Sequence, residues 1–395
     1  MTIKKIEPEG DFDNFGGRCL KVKTDKGTFY TPERRVTSTE FEYKQQLPVR
    51  GTIDNPVGEI VSDFRENELN QFLAGNGPFK NRKMRLESLA DVMEYSNISF
   101  YPQFKKDVSL KSGNLFLFTE LQLYTGVEMV SIPPFYHKTF DEYAKVLVDY
   151  CNGIRDSSSN RQEPLPYLDM GLPPSEFQKK ADFIWSLCKE GNELVNSMGV
   201  IYRPINSNII NYSYLHSNRE RNILIHASGV ERIHNPRVPT SEMHILQRYG
   251  IDTYSIKTKR FYKPPTPIDS SKEKEEKPDT IELDKLRFYD PNTIGVIKIN
   301  EWNSRYNTTL NCDCIVCRNK DINDFIDKYA YDHNGAIDNQ LLIKATKIHE
   351  LSASTKEFGN SKKYIKEGGL KDYFGEKEYL KKVSPVSSTT LEQFL

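Results

Sequence analysis

Along most of this chain, short apolar runs alternate with longer stretches in which apolar residues recur every three or four positions. The first pattern predicts buried strands and the second amphipathic helices. CLKVKT alternates apolar and polar positions and, across a DKG turn, leads into TFYTP, which predicts a hairpin within the first 30 residues. RRVTS then precedes the helical TEFEYKQQL, GEIVSDF precedes ENELNQFLAG, and ISFYPQF follows the helix LESLADVMEY. VEMVSIPPF precedes TFDEYAKVLVDYCNGI, and LPYLDMGL precedes PSEFQKKADFIWSLCKEGNELVNSM. GVIYRPI, NILIHASGV and IDTYSIK supply three more strands, the last led in by SEMHILQRYG. Strands alternating with helices predict an α/β fold with a parallel sheet, and eight such units closing on themselves make a (β/α)8 TIM barrel. An open doubly wound sheet is the alternative, but no G-x-G-x-x-G follows any strand, so its dinucleotide-binding version is not supported.

Beyond the eighth strand the pattern stops. KPPTPIDSSKEKEEKPDTIELDK is rich in proline, serine and charge and almost without apolar residues, so it cannot bury enough surface to offset ordering. The expected organisation is therefore a hairpin and barrel over 1–262, a mobile charged insertion over 263–283, and a separate subdomain with C-terminal helices over 284–395. Within the last of these, DPNTIGVIKINEW re-enters the fold as a strand.

Composition narrows the class. The chain has 395 residues, enough for a barrel of about 250 residues and an appendage. Its 55 basic and 55 acidic residues cancel, so a nucleic-acid partner would need locally concentrated cations. Three basic clusters with aromatics interleaved, FKNRKMR, IKTKRFYK and NSKKYIK, could supply them, although such clusters are usually solvated faces. No apolar run is long enough for a membrane span and MTIKKIEPEG does not read as a signal peptide, so the expected location is cytoplasmic. Cys19, Cys151 and Cys188 are scattered, which argues for a reducing compartment and against a disulfide framework.

The other three cysteines carry the most specific signal. Cys312, Cys314 and Cys317 form a C-x-C-x-x-C run that can fold its backbone over one Zn2+ at Zn–S distances of about 2.3 Å. His349, in the helical run LLIKATKIHEL, is the preferred fourth ligand because a helix holds an imidazole rigidly; His333, in the polar loop YDHNG, competes. Four protein ligands would make the zinc structural.

NCDCIVC, followed by IHEL and KEFGNSKKYIKEGGLKDYF, resembles the zinc subdomain of the tRNA-guanine transglycosylases, and GRCLKVKTDKGTFYTPERRVTS resembles that family's opening hairpin and first strand. The resemblance is good at both ends and weak between them, and it is closest to the branch that places 7-deazaguanines in DNA. It implies base exchange at a nucleoside C1′: a carboxylate attacks as guanine leaves, and a 7-deazaguanine such as preQ0 takes the sugar back. The implied partners are a nucleic acid, DNA ahead of tRNA, the free base, and a second copy or a helper protein. The family's nucleophile strand corresponds to GIDTYS, in which Asp252 remains and Ser255 stands where the nucleophilic Asp is usual; the family's second catalytic Asp is matched by Asn97. The resemblance thus implies either an active enzyme with relocated carboxylates or a catalytically silent accessory subunit.

On the strand assignment alone, the polar residues near the working face are Asp63 in strand two, Gln103 in strand three, Asp169 in strand five, His226 in strand seven and Asp252 in strand eight. For the chemistry that the resemblance implies, Asp252 is the expected nucleophile and Asp63 the acid/base. Asn97, Gln103, Asp169 and His226 are expected to hold the base, and Lys259 and Arg260 the phosphate backbone.

Overall fold

The computed structural model describes residues 3–10, 15–49, 57–64, 77–93, 97–104, 112–135, 139–157, 162–188, 194–235, 237–257, 280–310, 312–318 and 321–382. The N-terminal segment forms a small antiparallel sheet of β1 (Ile3–Pro8), β2 (Leu20–Thr24) and β3 (Gly27–Tyr30), in the order β1-β2-β3. Here β2 and β3 are the hairpin expected from the alternation, and β1 is an addition that the pattern did not reveal.

The main sheet is parallel and almost closes on itself. Its strands in chain order are β4 (Glu33–Arg34), β5 (Val36–Thr37), β6 (Val57–Phe64), β7 (Asn97–Phe104), β8 (Met129–Ile132), β9 (Glu163–Asp169), β10 (Ser197–Ile201), β11 (Leu224–Val230) and, after an antiparallel excursion, β14 (Thr253–Ile256). The spatial order is β4-β14-β11-β10-β9-β8-β7-β6-β5, so nine segments make an α/β barrel whose two ends, β4 and β5, are separated in the chain by Arg35 alone. The Arg35 N–H still donates to Tyr254 O at 2.7 Å. Its side chain, fully buried, turns inward and reaches Gly58 O at 3.1 Å and Ser99 Oγ at 3.0 Å on strands two and three.

Helices cross between consecutive strands: α1 (Ser38–Gln46), α2 (Gly77–Val92), α3 (Ser112–Tyr124), α4 (Phe140–Ser157), α5 (Pro174–Ser186), α6 (Ile209–Ser217) and the short α7 (Glu242–Leu246). The start of α1 is written locally, since Thr37 and Glu40 form a capping box that satisfies two otherwise orphaned backbone N–H groups. Helices α3 and α6 escaped the sequence reading because their apolar residues are not confined to one face. Helix α5 ends at Ser186, short of the expected Met198, and the helix expected over ENELNQFLAG lies outside the described residues.

The foot of the barrel is closed by the N-terminal sheet. Ile3, Leu20, Val22 and Phe29 pack in one cluster with Val57, Met129, Leu165 and Leu224, residues at or near the start of four barrel strands. The opposite end, where the strands finish, is therefore the mouth.

The excursion between strands seven and eight is β12 (Ile233–Asn235) and β13 (Val238–Ser241). It joins β15 (Arg287–Asp290) and β16 (Gly295–Lys298) in a four-stranded antiparallel sheet, β12-β13-β16-β15. Residues from the expected barrel segment and from the expected C-terminal segment thus share one sheet. The expected mobile insertion falls mainly on residues 258–279, outside the described residues. Helices α8 (Ile299–Tyr306), α9 (Ile322–Tyr329), α10 (Asn339–Lys366), α11 (Leu370–Glu376) and α12 (Glu378–Lys382) complete the described residues. The 28-residue α10 lies against strand one: Arg34 donates to Ser354 Oγ at 2.6 Å, and Lys362 pairs with Glu33.

Candidate metal centre and barrel interior

Cys312, Cys314 and Cys317 leave a turn between α8 and α9, and His349 enters from the buried face of α10. His349 Nδ1 lies 3.7 Å from Cys312 Sγ, 3.4 Å from Cys314 Sγ and 3.1 Å from Cys317 Sγ. A tetrahedral ion with Zn–S of about 2.3 Å and Zn–N of about 2.0–2.1 Å would hold sulfur and nitrogen about 3.6 Å apart, so the spacing fits one such ion. The four donor atoms all lie within 4.8 Å of one another.

The imidazole is oriented for ligation by its other nitrogen. His349 Nε2 donates to the Tyr289 carbonyl at 2.7 Å, which places the hydrogen on Nε2 and leaves the Nδ1 lone pair facing the thiols. Phe288 stacks on the ring with centroids 3.8 Å apart. Both residues belong to β15, so the strand that re-enters the fold also fixes the tautomer. His333, the competing ligand, is exposed in its turn between α9 and α10. The four residues can therefore hold one metal ion in a buried, closed site.

Asp252 is not where the sequence reading put it. It precedes β14, at the foot of strand eight, and is fully buried in a pair with Arg18. Arg18 Nε donates to Asp252 Oδ1 at 2.9 Å and Nη2 to Oδ2; the remaining guanidinium hydrogens go to the carbonyls of Arg219, Arg221 and Ile223. Asp252 Oδ2 also accepts the Ile225 N–H at 2.6 Å. Burial raises its pKa, against the opposing pull of Arg18.

The same device recurs around the foot. Glu128 precedes strand four, accepts the Ile98 N–H at 2.6 Å and pairs with Lys26. Glu163 opens strand five, accepts the Asn196 N–H at 2.9 Å and pairs with Arg155 at 3.0 Å. In each case a carboxylate at the foot of one strand satisfies an N–H at the foot of its neighbour and is neutralised by one cation. Asp252 is a member of this set, and an attack on a sugar at the mouth does not fit its position. Asn97, expected to hold the base, is likewise a buried residue at the foot of strand three.

Other expected site residues do reach the mouth. Asp169 ends strand five, accepts from the Gly171 N–H at 2.8 Å, and is gripped by Arg203 through Nε at 2.8 Å and Nη2 at 2.5 Å. Gln103 is half-buried at the end of strand three, and the Asp63 backbone is its register partner on strand two. Lys259 and Arg260 lie outside the described residues.

His226 is neither at the mouth nor alone. It points into the barrel, where Nε2 meets Glu59 Oε1 at 2.7 Å and Nδ1 meets Thr253 Oγ1 at 2.9 Å. Ser228 Oγ donates to the same Glu59 oxygen at 2.7 Å, and Tyr167 Oη lies 2.7 Å from Ser228 Oγ. Tyr167 fits there only because residue 199 is glycine: a Cβ on Gly199 would come within 2.5 Å of its ring. Burial and the nearby Arg35 hold His226 below its ordinary pKa. Burial alone would raise Glu59, but His226, Ser255 and Ser228 together outweigh it and hold the carboxyl below its ordinary value.

Glu59 was absent from the sequence reading, although a signal was there. In VGEIVSDF the positions Val57, Glu59 and Val61 share one face of a strand expected to be buried on both faces, and a Glu in that row needs a partner.

No family model and no curated protein matches this chain.

Proposed function

We propose that this chain is a base-exchange transglycosylase acting on nucleic acid, built as a (β/α)8 barrel with a structural zinc in its C-terminal subdomain. Counting β4 and β5 as one strand interrupted at Arg35 reduces the nine segments to eight. The observation that carries the reading is the Cys312, Cys314, Cys317 and His349 cluster, held on the long C-terminal helix that also packs against the first strand of a parallel barrel through Ser354 and Lys362. That is the arrangement implied by the resemblance to the guanine transglycosylases. Three thiolates and one imidazole in a closed tetrahedron are the donor set of structural zinc, with no position left for a reacting water. Asp169 and Gln103 at the mouth are suited to meeting the edge of a base, and a nucleotide in a duplex would have to be flipped out of its stack to reach them, at a cost of about a few kcal/mol.

A second reading, a silent accessory subunit of such an enzyme, is favoured by one specific observation. Strand eight places Ser255, not a carboxylate, toward the barrel interior, and its Asp252 is committed to Arg18 at the foot.

Mass spectrometry of nucleosides from the DNA and tRNA of cells expressing the protein separates the readings. A 7-deazaguanine nucleoside in DNA is the expected result, and one in tRNA redirects the substrate. Its absence from both, with the protein expressed alone, refutes autonomous base exchange and leaves the accessory reading.

A further inference from the structure

The interior of the barrel is unusual for its architecture. Layers inside such barrels are dominated by bulky branched apolar residues. Here, above the apolar foot, the buried inward side chains include Arg35, Glu59, Tyr167, His226, Ser228 and Ser255. Burying charge is costly unless every group is paired, and such cost is tolerated chiefly at functional sites. The three foot carboxylates have a structural account, since each satisfies a strand N–H. Glu59 satisfies none.

We infer that Glu59, carried by strand two, is the catalytic carboxylate of the barrel and that His226 is its positioning residue; this rests on the base-exchange reading above. Glu59 Oε1 is fixed from two sides, by His226 Nε2 and Ser228 Oγ, each at 2.7 Å. Its other oxygen, Oε2, is buried and makes no hydrogen bond of ordinary geometry, although the Ser255 hydroxyl is close enough to the carboxyl to favour its charge. One oxygen held and one left free is what a positioned nucleophile requires. The imidazole is in turn oriented by Thr253, whose hydroxyl meets Nδ1, so a neutral ring can present N–H to the carboxylate. Ser255, on strand eight at the position where the resemblance puts a nucleophilic Asp, stands beside the Glu59 carboxyl. The carboxylate missing from strand eight is thus supplied to the same place from strand two. Glu59 lies deep in the barrel: its register partners run through Ser99 and Met129 to Glu163 at the foot, while His226 and Ser228 meet it from strand seven, so the sugar must descend past Asp169 at the mouth to reach it.

The chemistry balances without any redox partner. Glu59 Oε2 attacks C1′ of the bound guanine nucleotide, and the C1′–O bond forms as the C1′–N9 bond breaks. The electron pair of that bond leaves on the guanine, which takes a proton from water. The incoming 7-deazaguanine then bonds to C1′ through its N9 and gives the N9 proton to water, and the C1′–O bond breaks to restore the carboxylate.

The test uses purified full-length protein, a labelled 7-deazaguanine base, and DNA and tRNA as acceptors. Wild type is expected to incorporate label and to give an adduct that survives denaturation, with the nucleotide mass on the strand-two peptide containing Glu59. Glu59→Gln should lose exchange by on the order of 10⁴-fold and form no adduct. Adding Ser255→Asp to Glu59→Gln should restore part of the activity by returning the carboxylate to strand eight. His226→Gln, which keeps an N–H donor, should retain far more exchange than His226→Leu, a difference that loss of packing alone would not produce. Exchange by a folded Glu59→Gln within tenfold of wild type, or an adduct on another peptide, overturns the assignment and leaves base exchange standing. Should Glu59→Gln fail to fold, the peptide that carries the wild-type adduct decides alone. A wild type that exchanges no base into either acceptor overturns both the Glu59 assignment and autonomous base exchange.

Discussion

Replacing Asp252 by Asn separates a structural from a chemical role at the foot of strand eight. The Arg18 guanidinium is buried with all five hydrogens directed at acceptors, two of them on Asp252 and three on backbone carbonyls. Asn keeps the shape but removes the counter-charge, and it turns an N–H2 group toward either Arg18 or the Ile225 N–H, both donors. Arg18 cannot escape by deprotonating. Removing one partner of a buried ion pair costs about 3–5 kcal/mol. With a denaturant slope of about 3 kcal/mol/M in urea, the unfolding midpoint should fall by about 1–1.7 M. The chain has two tryptophans, and they report on the two regions: Trp185 sits on α5 of the barrel and Trp302 on α8 beside the metal centre. Urea titrations of single-tryptophan versions would read the barrel midpoint through Trp185. Glu163→Gln, which breaks the equivalent arrangement with Arg155, should lower the same midpoint and serves as the control. Base exchange measured per folded molecule should survive Asp252→Asn. A midpoint within about 0.3 M of wild type together with abolished exchange would refute the structural assignment and return Asp252 to the chemistry.

Two further predictions concern the C-terminal half. Elemental analysis should find one equivalent of zinc per chain, and Cys314→Ser or a strong chelator should release it and unfold the Trp302 region first; metal-free protein with an unchanged Trp302 transition would contradict the site. His234 Nδ1 lies 2.6 Å from Glu242 Oε2, and this carboxylate raises the His234 pKa above its ordinary 6.5, against the effect of burial. The stabilisation from the pair is fully present below about pH 6.5 and is lost as the pH rises through the raised folded value. Thermal unfolding of wild type and His234→Asn should accordingly differ more at pH 6 than at pH 9, and an equal difference at both would remove the pair from the account.

Local sequence determined much of this protein because much of it is decided locally. Most barrel strands are short apolar runs, and their positions were legible because burial on both faces demands such a run whatever its neighbours. The metal ligands were legible for a similar reason: C-x-C-x-x-C needs no distant partner to bring its sulfurs together, and a helix fixes where His349 points. What only the tertiary structure decided depends on contacts across tens or hundreds of residues. Whether Asp252 faces the mouth or the foot turns on Arg18, 234 positions away, and on which end of strand eight precedes the first paired residue. The pairing of Glu59 with His226 spans 167 positions and exists only because the sheet closes, bringing strand two and strand seven to opposite sides of one interior. Helices α3 and α6 could not be read from periodicity, and the β12–β13 excursion takes its meaning from pairing with strands that come more than fifty residues later. Nearest-neighbour patterning states which residues must be buried; the closing of the barrel decides which buried polar groups meet.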